Sequence, residues 1–399
     1  PSMAMQSKSV PPKITTTASL VTIYSNSIPV VSGGITPATV QSSPLINLDL
    51  FRADPLYNTI DGVGYSVAIL DTGVDMDHPF FGSRIVYAYD FADGDSSAEA
   101  TEAHGSNVAG IVGSEDGTYS GMAPGCNLII LKVFTDGGTG NFGYVESALQ
   151  WCVTNGAAYN LVSLNMSLGD TENHQTLQSL YGINDELANL KSMGIAICSS
   201  SGNSFETFGS VTGVSYPAAD ASSLSVGAVY DANIGGVTYT SGAQAFTTAI
   251  DRLTPFSQRH LTLSTIFAPG AAITNAGLAG ATVSYHGTSQ AAPHIAGIAV
   301  LAQEIAETYL GRMLTVDEYS TILQTTATFV NDGDDEDDNV TNTGLSFPRV
   351  DVLAMANAIM AMAIPGAHLV VLSNSDVPRV NFGHYYTGNP HCGDWGYDP

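Results

Sequence analysis

Three polar residues in this chain have the types and the sequence settings that nucleophilic catalysis requires. Ser289 lies in the stretch Gly287–His294, at the start of a run of apolar residues. A serine hydroxyl is a weak nucleophile unless a nearby base accepts its proton and a third group orients that base. Asp71 and His104 are available for these tasks, because each stands at one end of a predicted strand or helix. The set indicates acyl-transfer chemistry through a serine.

Each of these residues is positioned by a predicted element. The spacing of apolar residues predicts a helix that begins near Ser289 and ends at Gly311. The apolar strand of residues 66–70 delivers Asp71 at its carboxyl end, the edge at which open α/β sheets bind ligands. His104 heads a second helix that is rich in small residues. The positive end of the helix dipole beside Ser289 would help to stabilise an oxyanion.

The rest of the chain alternates short apolar strands with helices. Strands are predicted at residues 128–133, 161–166, 195–199 and 224–229, and helices at about 142–154, 174–193, 315–326 and from about 349. Such alternation predicts parallel strands joined by right-handed crossovers. We therefore expect an α/β fold of three layers, in which a mostly parallel central sheet is covered by helices on both faces.

The motifs around Asp71, His104 and Ser289, in this order, resemble the signatures of the subtilisin-like serine proteases, the subtilase family or peptidase S8. The likeness extends from about residue 62 to residue 363. It includes the further motifs Ser167-Leu168-Gly169, Ser200-Ser201-Gly202-Asn203, Tyr216-Pro217-Ala218, Phe256-Ser257, Phe267-Ala268-Pro269-Gly270 and Arg349-Val350-Asp351. Several separate motifs in family order make chance a poor explanation. The resemblance implies a subtilisin-like version of the three-layer fold.

The resemblance also implies a role for each site residue. His104 would take the proton of Ser289 and return it to the leaving amine, while Asp71 would orient the imidazole. Asn203 would donate its side-chain amide to the oxyanion. A peptide substrate would bind as an extended strand along two segments. These segments are Ser167, Leu168 and Gly169, and Ser200, Ser201 and Gly202.

The sequence departs from the commonest family pattern at three places. Asn107 stands where a second histidine is often found, Gln290 replaces the usual methionine after the nucleophile, and Ser200 and Ser201 stand where alanine is typical. None of these changes removes a catalytic group. The two serines argue against copying an apolar specificity pocket from the family. Gln290 should make the site less sensitive to oxidation.

These observations predict a serine endopeptidase that hydrolyses peptide bonds through an acyl-enzyme on Ser289. A peptide ligase or macrocyclase on the same fold is an open alternative, because an amine can resolve the same acyl-enzyme. A catalytically silent binding scaffold is the second alternative. We expect protein or peptide substrates, no organic cofactor and a monomer.

The composition limits the partners and the compartment. The 399 residues include 11 Lys and Arg against 37 Asp and Glu, which gives a formal net charge of -26. Such a balance disfavours binding to nucleic acid or to anionic lipid. No run of residues is apolar and long enough to span a membrane, and no segment reads as an intact signal peptide. We predict a secreted or extracytoplasmic protein.

The chain is divided into three predicted regions. These are an N-terminal extension at residues 1–45 with a short strand near residues 20–24, a peptidase domain at 46–363 and a C-terminal tail at 364–399. None of the four cysteines forms a CxxC pair, so they indicate no metal site and allow up to two disulfides. Cys152 and Cys198 are interpreted as small buried hydrophobic residues.

The acidic run from Asp332 to Asp338 has two interpretations. It is either a solvated surface loop or a calcium site in which Asp332, Asp334 and Glu336 supply oxygen ligands. The spacing of an EF-hand loop is missing. Calcium as a structural ion is an expectation that the resemblance strengthens, because calcium dependence is frequent in the family.

Overall fold

The computed structural model describes residues 21–25, 27–33, 42–333 and 336–363. The strands of this part of the chain are β1 (Thr22–Ser25), β2 (Val30–Gly33), β3 (Ser66–Asp71), β4 (Ile85–Asp90), β5 (Asn127–Lys132), β6 (Gly140–Asn141), β7 (Leu161–Met166), β8 (Leu168–Gly169), β9 (Ala196–Ser200), β10 (Ser223–Val229), β11 (Val237–Tyr239), β12 (Gln244–Ala245), β13 (Ile266–Pro269), β14 (Ile273–Ala276), β15 (Thr282–Tyr285), β16 (Thr328–Asn331) and β17 (Ser346–Arg349). The helices are α1 (Ser42–Leu45), α2 (Leu48–Ala53), α3 (His104–Gly113), α4 (Phe142–Asn155), α5 (Asn184–Ser192), α6 (Thr288–Leu310), α7 (Val316–Thr325) and α8 (Val352–Ala361), with a short 3-10 helix at Gly156–Tyr159.

Nine strands form the central sheet, in the order β16-β17-β13-β10-β9-β7-β3-β5-β4. All neighbouring pairs are parallel except β16 with β17 at one edge, which is antiparallel. The apolar strand β3 lies between β5 and β7, and Ala68 is in register with Ile129 on one side and Leu164 on the other. The predicted, mostly parallel sheet is confirmed.

Helices cover both faces of this sheet. Every residue of β3 is buried, and its side chains alternate between two cores. Val67 and Ile69 belong to the core that contains the apolar residues of α3 and α6, whereas Ala68 and Leu70 belong to the core that contains those of α4 and α5. The side chains of one strand thus meet helices above and below it, which gives the three layers that the sequence predicts.

The long helix α6 carries the predicted nucleophile in its first turn. It has 23 residues and begins at Thr288, and Gly311 ends it with a φ of 67°, a left-handed conformation that favours glycine at this position. Its start and its end agree with the sequence-based prediction. Neither α6 nor any other helix in the described part of the chain has the length and apolar character to cross a membrane.

The helix predicted over residues 174–193 is wrong in its first half. Only α5 (Asn184–Ser192) is helical there. His174 instead exchanges two backbone hydrogen bonds with Val214, at 2.8 and 2.9 Å. Tyr181 and Gly182 both have a positive φ, 58° and 79°, which a right-handed helix cannot accommodate.

Two strands of the predicted N-terminal extension join small sheets. β1 lies between β6 and β8 in a three-stranded sheet, and β2 pairs with β11, which also pairs with β12. The described part of residues 1–45 is therefore held to the rest of the chain by backbone hydrogen bonds. The boundaries of the three predicted regions stay a prediction, and the tail at 364–399 lies outside the described residues.

Candidate active site

Asp71 is held at the carboxyl end of β3 with one oxygen in two hydrogen bonds. Its side chain is buried, and Oδ1 accepts from the backbone N–H of Thr72 at 2.7 Å. The same oxygen lies 2.7 Å from Nδ1 of His104. The main-chain bond fixes the carboxylate, and the carboxylate in turn fixes the orientation of the imidazole.

His104 is the first residue of α3 and approaches Asp71 because glycine follows it. A Cβ at Gly105 would collide with the carbonyl oxygen of Gly73, and the N–H of Gly105 donates to Oγ1 of Thr72 at 3.0 Å. Burial disfavours the charged imidazole, but the Asp71 carboxylate outweighs this effect and raises the pKa of His104 above its usual value. Within the described part of the chain, Nε2 of His104 is buried and makes no hydrogen bond.

Ser289 lies in the first turn of α6 and is fully buried. Its hydroxyl donates to the carbonyl oxygen of Ser167 at 3.1 Å, and the Ser167 hydroxyl donates to the carbonyl oxygen of Ser289 at 2.7 Å. One side-chain hydrogen bond joins α3, which carries His104, to α6, which carries Ser289. In this bond Nε2 of Gln290 donates to Oδ1 of Asn107 at 3.3 Å. Asp71 and His104 are thus paired, whereas the Ser289 hydroxyl is directed to a backbone carbonyl.

Asn203 is anchored to the residue that precedes the predicted nucleophile. Its Oδ1 accepts from the backbone N–H of Thr288 at 2.9 Å and from the Thr288 hydroxyl at 3.0 Å. Oγ1 of Thr288 also accepts from the N–H of Gly202 at 3.1 Å. Because the carbonyl oxygen of the Asn203 amide accepts both bonds, the amide group has a fixed orientation beside the start of α6.

The first predicted substrate-binding segment, Ser167, Leu168 and Gly169, is paired with a strand of this same chain. Leu168 and Gly169 form β8, which pairs antiparallel with β1 so that Ser25 lies opposite Leu168 and Tyr24 opposite Gly169. On its other side β1 pairs antiparallel with β6. Residues 22–25 therefore lie as a middle strand in the cleft predicted for a peptide. The sequence analysis missed β6, because two residues, one of them glycine, carry no strand pattern.

The second predicted segment, Ser200, Ser201 and Gly202, has its backbone engaged by other parts of the chain. The N–H of Ser201 donates to Val226 at 3.0 Å, and its carbonyl oxygen accepts from Ser215 at 2.8 Å. The carbonyl oxygen of Gly202 accepts from the N–H of Gln258 at 2.9 Å. These bonds leave the segment as a wall of the cleft, and a role in pairing with a peptide backbone stays a prediction.

The N-terminal segment continues past Asn203. The N–H of Ile28 donates to the carbonyl oxygen of His286 at 2.7 Å, and the carbonyl oxygen of Pro29 accepts from Thr240 at 2.9 Å. From there the chain enters β2. A cavity of about 240 Å³ lies beside this segment, and its lining residues are Ser25, Ser27, Ile28, Pro29, Thr171, Asn203, Ser204, Thr240, Ser241 and Gln258.

The two predicted calcium ligands that the structure describes, Asp332 and Glu336, are engaged with other partners. Oδ2 of the buried Asp332 lies 3.0 Å from Nε of Arg259, and the Thr343 hydroxyl donates to the same oxygen at 2.6 Å. Glu336 accepts a backbone hydrogen bond from Gly333 at 2.8 Å, and Asp334 lies outside the described residues. Asp332 thus has a cationic partner, which the sequence analysis did not predict, and this pairing makes it a poor fit for an ion that requires free carboxylates.

Another group of carboxylates is close enough to share a cation, and it already holds one. In the described part of the chain, the oxygens of Asp90, Asp93 and Asp136 lie within 4.8 Å of one another. Nζ of Lys132 is buried among them, 2.7 Å from Asp90 and 3.9 Å from Asp93, and it also bonds Asp136. The ammonium group balances one of the three negative charges of this cluster.

The three described cysteines are free and buried, as the interpretation of Cys152 and Cys198 expects. Burial raises the pKa of the Cys126 and Cys198 thiols to about 12. A buried thiol that stays protonated is neither a nucleophile nor a metal ligand. Cys392 lies outside the described residues.

Comparison with known proteins gives matches over most of the chain. The model of the subtilase family, Peptidase_S8, matches residues 62–347. The alkaline serine exoprotease A of Vibrio alginolyticus is 31% identical over 241 residues, which are 60% of this chain and 39% of that protein. Subtilisin DY of Bacillus licheniformis is 29% identical over 261 residues, which are 65% of this chain and 82% of that protein.

A solved structure is also similar. A cold adapted subtilisin-like serine proteinase aligns with a TM-score of 0.56 and 26% identity, over 75% of this chain and 93% of that chain. The match to the Vibrio exoprotease, in contrast, spans only about two fifths of that protein's length.

Proposed function

Because this chain belongs to the subtilase family, we propose that it is a serine endopeptidase that hydrolyses peptide bonds through an acyl-enzyme on Ser289. The observation that carries the proposal is the buried contact of 2.7 Å between Asp71 and His104. A buried carboxylate paired with Nδ1 leaves Nε2 as the basic nitrogen of the ring. This is the arrangement that activates a serine hydroxyl.

The reaction uses four side chains in two half-reactions. His104 accepts the proton of Ser289 as Oγ attacks the carbonyl carbon, and it then protonates the leaving amine. Asp71 stabilises the imidazolium that forms in between. The side-chain amide of Asn203 and the backbone N–H of Ser289 donate to the oxyanion. Water, deprotonated by His104, then cleaves the acyl-enzyme by the same steps in reverse order.

The attack requires one rotation of the nucleophile. The Ser289 hydroxyl donates to Ser167 in the resting arrangement, at 3.1 Å. Rotation about the Cα–Cβ bond of a serine exchanges staggered rotamers at low cost. The hydroxyl then donates to His104, whose Nε2 has no other hydrogen bond among the described residues.

The substrate binds as an extended strand, as the pairing of β1 supports. A strand between β6 and β8 gains backbone hydrogen bonds on both sides, which is how peptides add to exposed strand edges. We therefore assign protein or peptide substrates, which bind in the cleft that residues 22–25 fill. A secreted or extracytoplasmic location and a monomeric state belong to the same proposal.

A structural calcium ion remains part of the proposal, although Asp332 is a poor fit as its ligand. A calcium ion bound only to the folded state would raise the melting temperature. We expect a chelator to lower it, and an unchanged melting temperature after chelation would argue against calcium.

The proposed function is tested by intact-mass spectrometry after incubation with a fluorophosphonate. A single adduct on the native chain that is missing from Ser289→Ala would support an assembled nucleophile. Product analysis with a peptide and an added amine separates hydrolysis from ligation. A folded native chain that gains no adduct, even after residues 22–33 are displaced, would support the binding-scaffold alternative.

A further inference from the structure

Gln258 is a buried residue at the wall of the cleft, and its amide group has one orientation. Its side chain has no exposed surface. Nε2 donates to the carbonyl oxygen of Glu172 at 3.0 Å and to Oδ1 of Asn173 at 2.8 Å. Both partners are acceptors, so the amide nitrogen must face them and Oε1 must face the opposite way. Oε1 makes no hydrogen bond to any residue that the structure describes.

The glycine before Asn203 allows this oxygen to come close. Gly202 has a φ of 108°, and a Cβ there would collide with Oε1 of Gln258. Two further bonds hold the pair in register: the N–H of Gln258 donates to Gly202, and the Ser201 hydroxyl donates to the carbonyl oxygen of Gln258 at 2.7 Å. Oε1 is thus a fixed acceptor next to the residue proposed to bind the oxyanion.

The cavity beside it has a polar and uncharged lining. Gln258 and Asn203 line it together with eight other residues, and no Lys, Arg, His, Asp or Glu is among the described residues that line it. Its volume of about 240 Å³ is many times the roughly 10–15 Å³ that a cavity needs to hold one water molecule. A side chain of moderate size therefore fits, and an unpaired charge would be costly to bury there.

The end of β1 meets this cavity. Ser25 is the last residue of β1 and lies opposite Leu168, and Ser25 and Ser27 both line the cavity. A substrate strand that takes the place of β1 in the cleft would bring its next residue to the same cavity.

We propose that Gln258 determines the specificity for the substrate residue that precedes the cleaved bond, because its Oε1 accepts a hydrogen bond from that side chain. The preferred residues carry an uncharged N–H donor, as asparagine and glutamine do, rather than the isosteric apolar leucine or methionine. A buried acceptor that is left unpaired by an apolar side chain is disfavoured, which is the basis of the discrimination. The inference rests on the proposed endopeptidase function and names its substrate class.

The test uses five fluorogenic peptides of the form Thr-Ile-Tyr-Ser-Xaa-coumarin, which continue the sequence of β1. Xaa is Asn, Leu, Gln, Met or Lys. We expect the native chain to cleave the Asn peptide with a kcat/KM about tenfold above that of the Leu peptide. Gln258→Met, which keeps the shape and removes the acceptor, should bring this ratio close to one. Gln324→Met, at an exposed position on α7, is the matched control and should keep the native ratio.

Two measurements keep the outcomes distinct. A native chain without preference for Asn over Leu, or an unchanged preference in a folded Gln258→Met, overturns the inference. If Gln258→Met does not fold, Gln258→Glu is tested in its place. This variant keeps an acceptor and adds a negative charge, so the preferred peptide should shift from the Asn peptide to the Lys peptide. Fluorophosphonate labelling of Ser289 accompanies each assay. Labelling without an Asn preference contradicts only the role of Gln258, whereas the absence of labelling and cleavage, also after residues 22–33 are displaced, contradicts the proposed function as well.

Discussion

Ser289 and Ser167 are joined by two hydrogen bonds that run in opposite directions. The Ser289 hydroxyl donates to the Ser167 carbonyl oxygen at 3.1 Å, and the Ser167 hydroxyl donates to the Ser289 carbonyl oxygen at 2.7 Å. The start of α6 is thereby fixed to the end of β7, directly before the strand that pairs with residues 24 and 25. When the Ser289 hydroxyl rotates toward His104, the bond from the Ser167 hydroxyl still holds the start of α6 to the residue before the proposed binding strand.

The pH dependence of catalysis should report the pairing of His104 with Asp71. Because the pKa of His104 is raised and catalysis requires the neutral imidazole, kcat/KM should rise with pH through a pKa above the usual 6.5. Asp71→Asn removes the larger of the two charges' effects that raise this pKa, and it leaves burial, which lowers the pKa, and the smaller effect of Glu102. The acid limb should then shift to lower pH while the rate falls by about 10⁴-fold. An acid limb that does not move in a folded Asp71→Asn would contradict the assignment.

Replacement of Asn203 should reduce turnover far more than binding. The amide is proposed to donate to an oxyanion that exists only in the transition state. Asn203→Ala should lower kcat by about 10²- to 10³-fold and leave KM within a few fold. Thr207→Ala, at an exposed position four residues later, is the control. A loss that appeared mainly in KM would show that Asn203 contributes to ground-state binding instead.

Displacement of β1 should raise the activity toward short peptides. Ile23 is 1% exposed and faces a core that includes apolar residues near β6, whereas its neighbour Tyr24 is 51% exposed. Ile23→Asp buries an unpaired charge at a cost of several kcal/mol, which exceeds the pairing of so short a strand. Peptide hydrolysis by Ile23→Asp should therefore be faster than by the native chain. Tyr24→Asp points its charge to solvent and should resemble the native chain, and equal rates in all three would refute a blocking role for β1.

The buried ion pair between Arg259 and Asp332 should be important for stability. Both side chains are fully buried, and the Arg259 guanidinium stacks on the ring of Phe205 at 3.8 Å. Asp332→Ala leaves an uncompensated buried charge and should lower the free energy of unfolding by about 3–5 kcal/mol in urea titrations.

The pair of Asp317 with Lys191 provides the comparison, because the Asp317 side chain is 80% exposed. Asp317→Ala should cost less than about 1 kcal/mol. Equal losses in the two variants would mean that the buried pair stabilises the fold no more than a surface contact.

The elements that hold the proposed triad could be predicted from the sequence. Continuous apolar runs identified β3, β5, β7, β9 and β10, because a parallel sheet buries both faces of each strand. The inner strands β13 and β17 are only four residues long and were not predicted as strands. The periodic apolar face and a terminal glycine identified α6 to within a residue at each end. These are local signals, and they are strongest where an element is buried throughout.

Contacts between distant residues could not be predicted. Asn107 and Gln290, both recognised as unusual, bond each other across 183 positions. Arg259 lies far from Asp332 in sequence, so the pairing of the acidic run with this cation was not predicted. The helix prediction was wrong for residues 174–183. The backbone bonds between His174 and Val214 and the two positive φ values there override helix propensity. In each case the decisive partner lies on another element.

The attachment of β1 to β2 turns the occupant of the cleft into a tethered competitor. Only residues 26–29 separate the two strands, and β2 stays paired with β11. Short tethers give effective concentrations in the millimolar range, on the order of those that weakly binding peptides need. The apparent dissociation constant of any free peptide is its intrinsic value divided by the fraction of molecules with β1 detached. Dilution of the protein cannot relieve this competition, because β1 is part of the same chain. The same factor multiplies the dissociation constant of every peptide, so all peptides bind more weakly and their order of preference is preserved.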